Sequence, residues 1–84
     1  MYNNIQYDPK VIKQLKKLDK KSIITILDSI EKYAKNPNAK KVIKLKTPFD
    51  NTYRLRIGDY RVLFYTEDDL LLISSIAHRK NVYN

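Results

Sequence analysis

The chain carries four arginines, Arg54, Arg56, Arg61 and Arg79, and all of them fall in its second half. A guanidinium is planar, permanently charged and able to grip an oxyanion through two parallel hydrogen bonds, so it suits a phosphate-holding task. For the same reason it is a poor general base. Groups able to move a proton come from the stretch Ala77-His78-Arg79-Lys80-Asn81-Val82-Tyr83, which brings an imidazole, a guanidinium and a phenol close together in sequence. His78 is the single His, and its unperturbed pKa of about 6.5 fits acid-base work near neutrality. Taken alone, a His at a strand end is more often structural, and Val82 and Tyr83 can equally pack a tail against a sheet.

The arginines acquire meaning from the elements that hold them. Tyr53-Arg54-Leu55-Arg56-Ile57 alternates apolar and charged residues, so Arg54 and Arg56 share one face of a strand. Gly58-Asp59 reads as a two-residue turn with Gly first, and Tyr60 to Thr66 as the partner strand. That register sets Arg56 directly opposite Arg61. Like charges facing one another across strands cost a few tenths of a kcal/mol up to about 1, and no acid in either strand offsets them. A face built to receive an anion explains the arrangement; a solvated edge with Asp50, Asp59 or Glu67 folding back is the plainer alternative.

Before this hairpin, Tyr2 to Tyr7 reads as a short strand. Asp8 is an N-cap with Pro9 at the first helical position, predicting a helix to Leu18 with an apolar stripe of Val11, Ile12, Leu15 and Leu18. Asp19 caps a second helix, Lys20 to Lys35, with Ile23, Leu27, Ile30 and Ala34 at helical spacing. Asn36-Pro37-Asn38 ends it, and a Lys-rich connector from Ala39 to Thr47 follows. Glu67-Asp68-Asp69 makes a second turn, and Leu70 to Ala77 is an apolar run short enough for a strand covered on both faces. The order β-α-α-β-β-β predicts an α+β fold, a mostly antiparallel sheet packed against an N-terminal helical hairpin.

Composition bounds the function. With 84 residues the chain has room for one domain, 1–84, and its 43% hydrophobic content with regular periodicity argues for a folded core. A net charge of +8 and a pI near 9.7 favour polyanions, nucleic acid first and an acidic protein second. With no Cys and one His, neither a disulfide framework nor a thiolate or multi-His metal site is expected, and no metal or other cofactor is implied. A reducing cytoplasm is the expected location, since no apolar stretch approaches a membrane span and residues 1–8 do not read as a signal peptide. Lys13, Lys16, Lys17, Lys20 and Lys21 solvate the helices or steer the chain toward phosphate-rich partners. Lys44, Lys46 and Lys80 join Arg54 and Arg56 as candidate substrate-binding cations.

The run Tyr53 to Val62, Tyr-Arg-Leu-Arg-Ile-Gly-Asp-Tyr-Arg-Val, followed by His78-Arg79-Lys80-Asn81-Val82-Tyr83, resembles the RelE side of the RelE/ParE toxin superfamily. The resemblance covers the whole chain, with its strong motifs in the hairpin and the tail. It implies a RelE-like fold and the toxin of a type II toxin-antitoxin pair: a ribosome-dependent endoribonuclease that cuts mRNA and is neutralised by a RelB-like acidic antitoxin. By position, Arg61 resembles the arginine that holds the scissile phosphate. Arg79 resembles the one assigned to phosphate stabilisation or leaving-group protonation, and Tyr83 the tail tyrosine proposed to help activate the 2′-hydroxyl. Arg54 and Arg56 stand where some members carry lysines, which keeps the charge but removes two groups whose pKa can be depressed. His78 and Tyr83 are alternative bases. The rivals are a ParE-like DNA gyrase inhibitor, against which the His78-Arg79 to Tyr83 tail argues, and a non-catalytic basic RNA-binding module.

Overall fold

The computed structural model describes residues 1–37, 42–45 and 52–78. Lys46, Arg79, Lys80 and Tyr83 lie outside the described residues. The elements are β1 (Asn4–Tyr7), α1 (Pro9–Lys16), α2 (Lys20–Lys35), β2 (Val42–Lys44), β3 (Thr52–Ile57), β4 (Tyr60–Glu67) and β5 (Leu70–His78).

Both helices begin where the sequence places caps. The Asp8 carboxylate accepts the Lys10 N–H at 2.8 Å ahead of Pro9, and Asp19 accepts the Ser22 N–H at 3.3 Å together with the Ser22 hydroxyl. α1 stops at Lys16, two residues early. Asp19 must be extended to cap α2 (ψ 157), so the chain leaves helical geometry just before it, with Lys17 and Leu18 tucked back onto Gln14 and Leu15 carbonyls.

The strands form one sheet ordered β1-β5-β4-β3-β2, antiparallel except for β1, which runs parallel to β5. The predicted α+β architecture is present. β2 is an addition: a three-residue strand inside the Lys-rich connector, pairing Val42, Ile43 and Lys44 with Leu55, Arg54 and Tyr53. Three residues carry too little alternation to announce a strand.

The helices cover one face. Val11 and Leu15 of α1 and Ile26, Ile30 and Ala34 of α2 pack on Leu55, Ile57, Val62, Phe64, Leu71, Ile73 and Ile76. Phe64 lies at the centre, its ring 5.4 Å from that of Tyr33 and 5.5 Å from that of Tyr53. Two expected stripes are corrected. Ile12 is exposed, because one residue on from Val11 turns it about 100° off the buried line of a two-turn helix. In α2 the buried line runs Ile26-Ile30-Ala34, with Ile23 and Leu27 partly buried to either side. β5 is corrected too. Leu71, Ile73 and Ile76 are buried, whereas Leu70 and Leu72 are only half-buried on a face that no helix covers.

Two irregularities shape β5. Leu63 pairs with Ser75 and Phe64 with Ile73, leaving Ser74 as an extra residue whose hydroxyl donates to the Leu63 carbonyl at 3.1 Å. β1 meanwhile ends opposite Ile73, so the outer edge of β5 is unpaired by strand beyond that point. Gln14 of α1 takes over, accepting the Ile76 N–H at 2.7 Å through Oε1 while its Nε2 lies 3.5 Å from the Ser75 hydroxyl.

Candidate active site

The β3–β4 hairpin turns on Gly58, whose φ of +56° is the left-handed conformation that the first central position of such a turn demands. It fixes the expected register: Ile57 opposite Tyr60, Arg56 opposite Arg61 and Arg54 opposite Leu63. Tyr60, Val62 and Phe64 face the helices, so alternation sends Arg61, Leu63 and Tyr65 to the open face with Arg54 and Arg56. Three arginines thus occupy two neighbouring cross-strand rows, Arg56-Arg61-Ala77 and Ile43-Arg54-Leu63-Ser75, and neither row contains an acid.

Arg61 is held by the backbone beneath it. Its Nη1 donates to the Tyr60 carbonyl at 3.2 Å and to the Gly58 carbonyl at 3.4 Å. Anchoring by carbonyls adds no carboxylate that would cancel the charge at those contacts. Arg56 is exposed and Arg54 half-buried. The result is one half-buried guanidinium tied to the turn, with a second opposite it and a third one row away. Such a set can bind a phosphate diester and stabilise added charge on its oxygens.

The structure does not bring every expected residue to this face. His78 pairs with Tyr60, and the two rings meet edge to face, centroids 5.2 Å apart at 87°. Tyr60 packs toward the core, so His78 stands on the helix side while Arg61 stands on the other. The cause is the bulge at Ser74. A regular ladder counted from Glu67–Leu70 pairs Arg61 with Ile76 and sends His78 to the arginine face; one inserted residue reverses the parity of everything after it. Lys44, opposite Tyr53, likewise has its side chain directed to the helix-covered side, at the exposed edge. Among the described residues, then, the arginine face gathers Arg54, Arg56 and Arg61.

Sequence reasoning passed over the apolar residues that share this face. Tyr65, Leu63 and Leu72 are set there by the same alternation as Arg61, and Ile43 by its pairing with Arg54. The parity that locates the arginines locates these as well. Gln14 was passed over for a different reason, since nothing near it in sequence announces a partner at Ile76.

Comparison with known proteins settles the family. The model described as the ParE toxin of the type II toxin-antitoxin system parDE matches residues 5–83, from β1 into the C-terminal tail. This chain belongs to the RelE/ParE toxin superfamily. The Methanocaldococcus jannaschii protein that carries the name toxin RelE1 is 30% identical over 84 residues, covering 95% of this chain and 93% of that one. RelE/ParE relatives of solved structure agree. The archaeal RelE-RelB complex from Pyrococcus horikoshii OT3 aligns with a TM-score of 0.80 at 28% identity, over 98% of this chain and 100% of the other. The YoeB dimer of Staphylococcus aureus aligns at 0.70 and 25% identity, over 86% and 91%. The RelE/ParE assignment makes the chain a toxin of the type II toxin-antitoxin class, and the likeness to RelE structures extends over the whole sheet and both helices.

Proposed function

We propose that this chain is a RelE-like mRNA interferase, an endoribonuclease that cuts mRNA on the ribosome without a metal. The observation that carries the reading is the cluster of Arg54, Arg56 and Arg61 in two adjacent cross-strand rows that hold no acid, with Arg56 directly opposite Arg61. A phosphate between them turns the repulsion into binding.

In the proposed reaction a base removes the proton of a ribose 2′-hydroxyl. The oxygen attacks the adjacent phosphorus, the bond to the 5′-oxygen breaks, and that oxygen takes up a proton, giving a 2′,3′-cyclic phosphate and a 5′-hydroxyl. Arg61 holds the phosphate, with Arg54 and Arg56 binding the flanking backbone. Arg79 stabilises the charge that builds on the phosphoryl oxygens or protonates the leaving group. The His78–Tyr60 pair on the helix side supports a positional role for His78, and of the two candidate bases this favours Tyr83. DNA, lacking the nucleophile, is not cut. The ribosome supplies the in-line geometry that so small a set of groups cannot impose on free RNA. Lys44, Lys46 and Lys80 contribute general attraction to the polyanion.

The partner that silences this activity is a RelB-like acidic antitoxin. The relative from Pyrococcus horikoshii was solved as a RelE-RelB complex, and a chain of net charge +8 is complementary to an acidic partner. Action on translating mRNA locates the toxin in the cytoplasm; no described helix is long and apolar enough to cross a membrane.

Primer extension on mRNA from cells briefly induced for the chain tests the reading, comparing wild type with Arg61→Ala and with Arg61→Ala plus Arg79→Ala. New cuts inside translated frames, lost in both variants, are expected. The family model bears the ParE name, which keeps gyrase as the specific rival. Intact mRNA together with inhibited supercoiling by purified gyrase would replace the RNase reading with that one.

A further inference from the structure

Beyond the arginines, the open face carries an aromatic ring that nothing in the proposed chemistry uses. Tyr65 lies on β4 four residues after Arg61, on the same face, and is 40% exposed. Its row reads Thr52-Tyr65-Leu72-Gln6, so the ring has an aliphatic neighbour and no charged one across the strands. Between it and the arginine row lies Ile43-Arg54-Leu63-Ser75, in which Ile43 is 54% exposed. Along the strand direction the face therefore passes from the Arg56–Arg61 pair, through a mixed row in which Ile43 and Leu63 flank Arg54, to the ring of Tyr65, with Glu67 one step beyond it.

A single strand of nucleic acid has the matching chemistry: phosphates for arginines and flat apolar bases for an exposed ring. Base stacking on an aromatic side chain is the usual companion of a basic groove in proteins that hold single strands. Spacing agrees as well. Four residues of extended strand cover about 13 Å, and a nucleotide, whose backbone repeat has as many bonds as two peptide units, spans about half of that.

We propose that Tyr65 is a base-stacking residue, holding a nucleobase about two nucleotides away from the phosphate at Arg61 and so fixing the register of a single-stranded RNA on the open face. The assignment rests on the RNase reading for the direction of the strand's phosphates toward Arg61. It adds a determinant that reads base shape at a distance from the reacting ribose. Because stacking strength rises with ring size, a purine at that position binds better than a pyrimidine.

The test uses the full chain and a fluorescent single-stranded RNA with 2′-O-methyl groups throughout, which binds but cannot be cut, with a single abasic position moved along it. Affinity is read by anisotropy for wild type, Tyr65→Phe, Tyr65→Leu, Tyr65→Ala and Arg61→Ala. Tyr65→Ala and Tyr65→Leu should weaken binding about 5- to 150-fold, and Tyr65→Phe should stay within about 2-fold. Wild type should lose a similar factor when one position is abasic, and Tyr65→Ala should not notice that change. Leu preserves a bulky apolar side chain on a strand position, so parallel losses in Leu and Ala with unchanged melting temperature separate stacking from misfolding. If Arg61→Ala weakens binding while all three Tyr65 variants bind as wild type does, the stacking proposal is overturned and the RNase reading stands. If wild type binds no single strand, the stacking proposal falls, while the RNase reading is decided by the primer-extension assay on translated mRNA. If the Tyr65 variants lose affinity only for an acidic protein partner, the ring belongs to a protein interface and the stacking assignment is wrong.

Discussion

Replacing Arg56 should make the protein more stable while weakening the proposed cleavage of mRNA. The pair Arg56–Arg61 follows the turn-closing pair Ile57–Tyr60 in the hairpin ladder. By the alternation of antiparallel pairs it is the non-hydrogen-bonded kind, with Cα atoms about 4.5 Å apart and side chains close. Arg61 is tied to the Tyr60 and Gly58 carbonyls, which fixes its end of the pair. For two unit charges held at about 6 Å in a water-like dielectric the repulsion is about 0.7 kcal/mol, within the range for like charges across strands. Arg56→Gln removes it, which for a domain of this size raises the melting temperature by about 3 to 6 °C. Arg56→Glu substitutes an attraction and should roughly double the gain. Both gains should shrink to about 1 °C or less in 1 M salt, where the screening length is about 3 Å. Calorimetry at low and high salt, alongside the primer-extension assay, reads both halves. Equal melting temperatures for wild type and Arg56→Gln at low salt, or a gain indifferent to salt, would refute the argument that the two charges repel at a net cost.

Three further outcomes follow from the packing. Ile26→Ala should cost about 2 to 5 kcal/mol in urea unfolding, since Ile26 is fully buried, whereas Ile12→Ala should stay within about 0.5 kcal/mol. Gln14→Leu should cost about 1 to 3 kcal/mol by leaving the Ile76 N–H without its acceptor, and hydrogen exchange at Ile76 should accelerate. Burial, with the Glu31 carboxylate adding to it, pushes the Tyr7 phenol above its ordinary value, so the folded chain holds that proton more tightly than the unfolded one. Its contribution is complete below about pH 10 and is lost as pH rises through the folded value, so Tyr7→Phe should flatten the alkaline decline in stability.

The hairpin and the caps were legible because each is encoded within a few neighbouring residues: strict alternation around Gly58, and Asp8 and Asp19 at helix starts. What was not legible depends on distant partners. Ile12 and Ile26 each sit beside a second apolar residue, Val11 and Leu27, where periodicity leaves the buried line free to rotate until the sheet selects it. The role of Gln14 is set by a strand 62 residues away. His78 shows how little can separate two readings. The tail motif places it beside Arg79, but the extra residue at Ser74 decides which side of the sheet it faces, and no composition signal marks a bulge in Ser74-Ser75. Arg61, Arg56 and Arg54 were located together because no irregularity intervenes between them.

The parallel pairing of β1 with β5 has a consequence for a protein made on the machine it is proposed to attack. Asn4 finds its partner only at Leu70, and the Tyr2 and Asn3 amides are fastened to Ala34 and Asp69 carbonyls. Joining segments so far apart carries a large loop-closure cost that the helices alone do not offset. A nascent chain that has not released its last strand from the exit tunnel has no frame for the hairpin's cations and no seat for its own beginning. Vectorial synthesis thus delays assembly of the arginine face until β5 has left the exit tunnel, so the order of the strands also sets the moment at which the chain acquires its cationic surface.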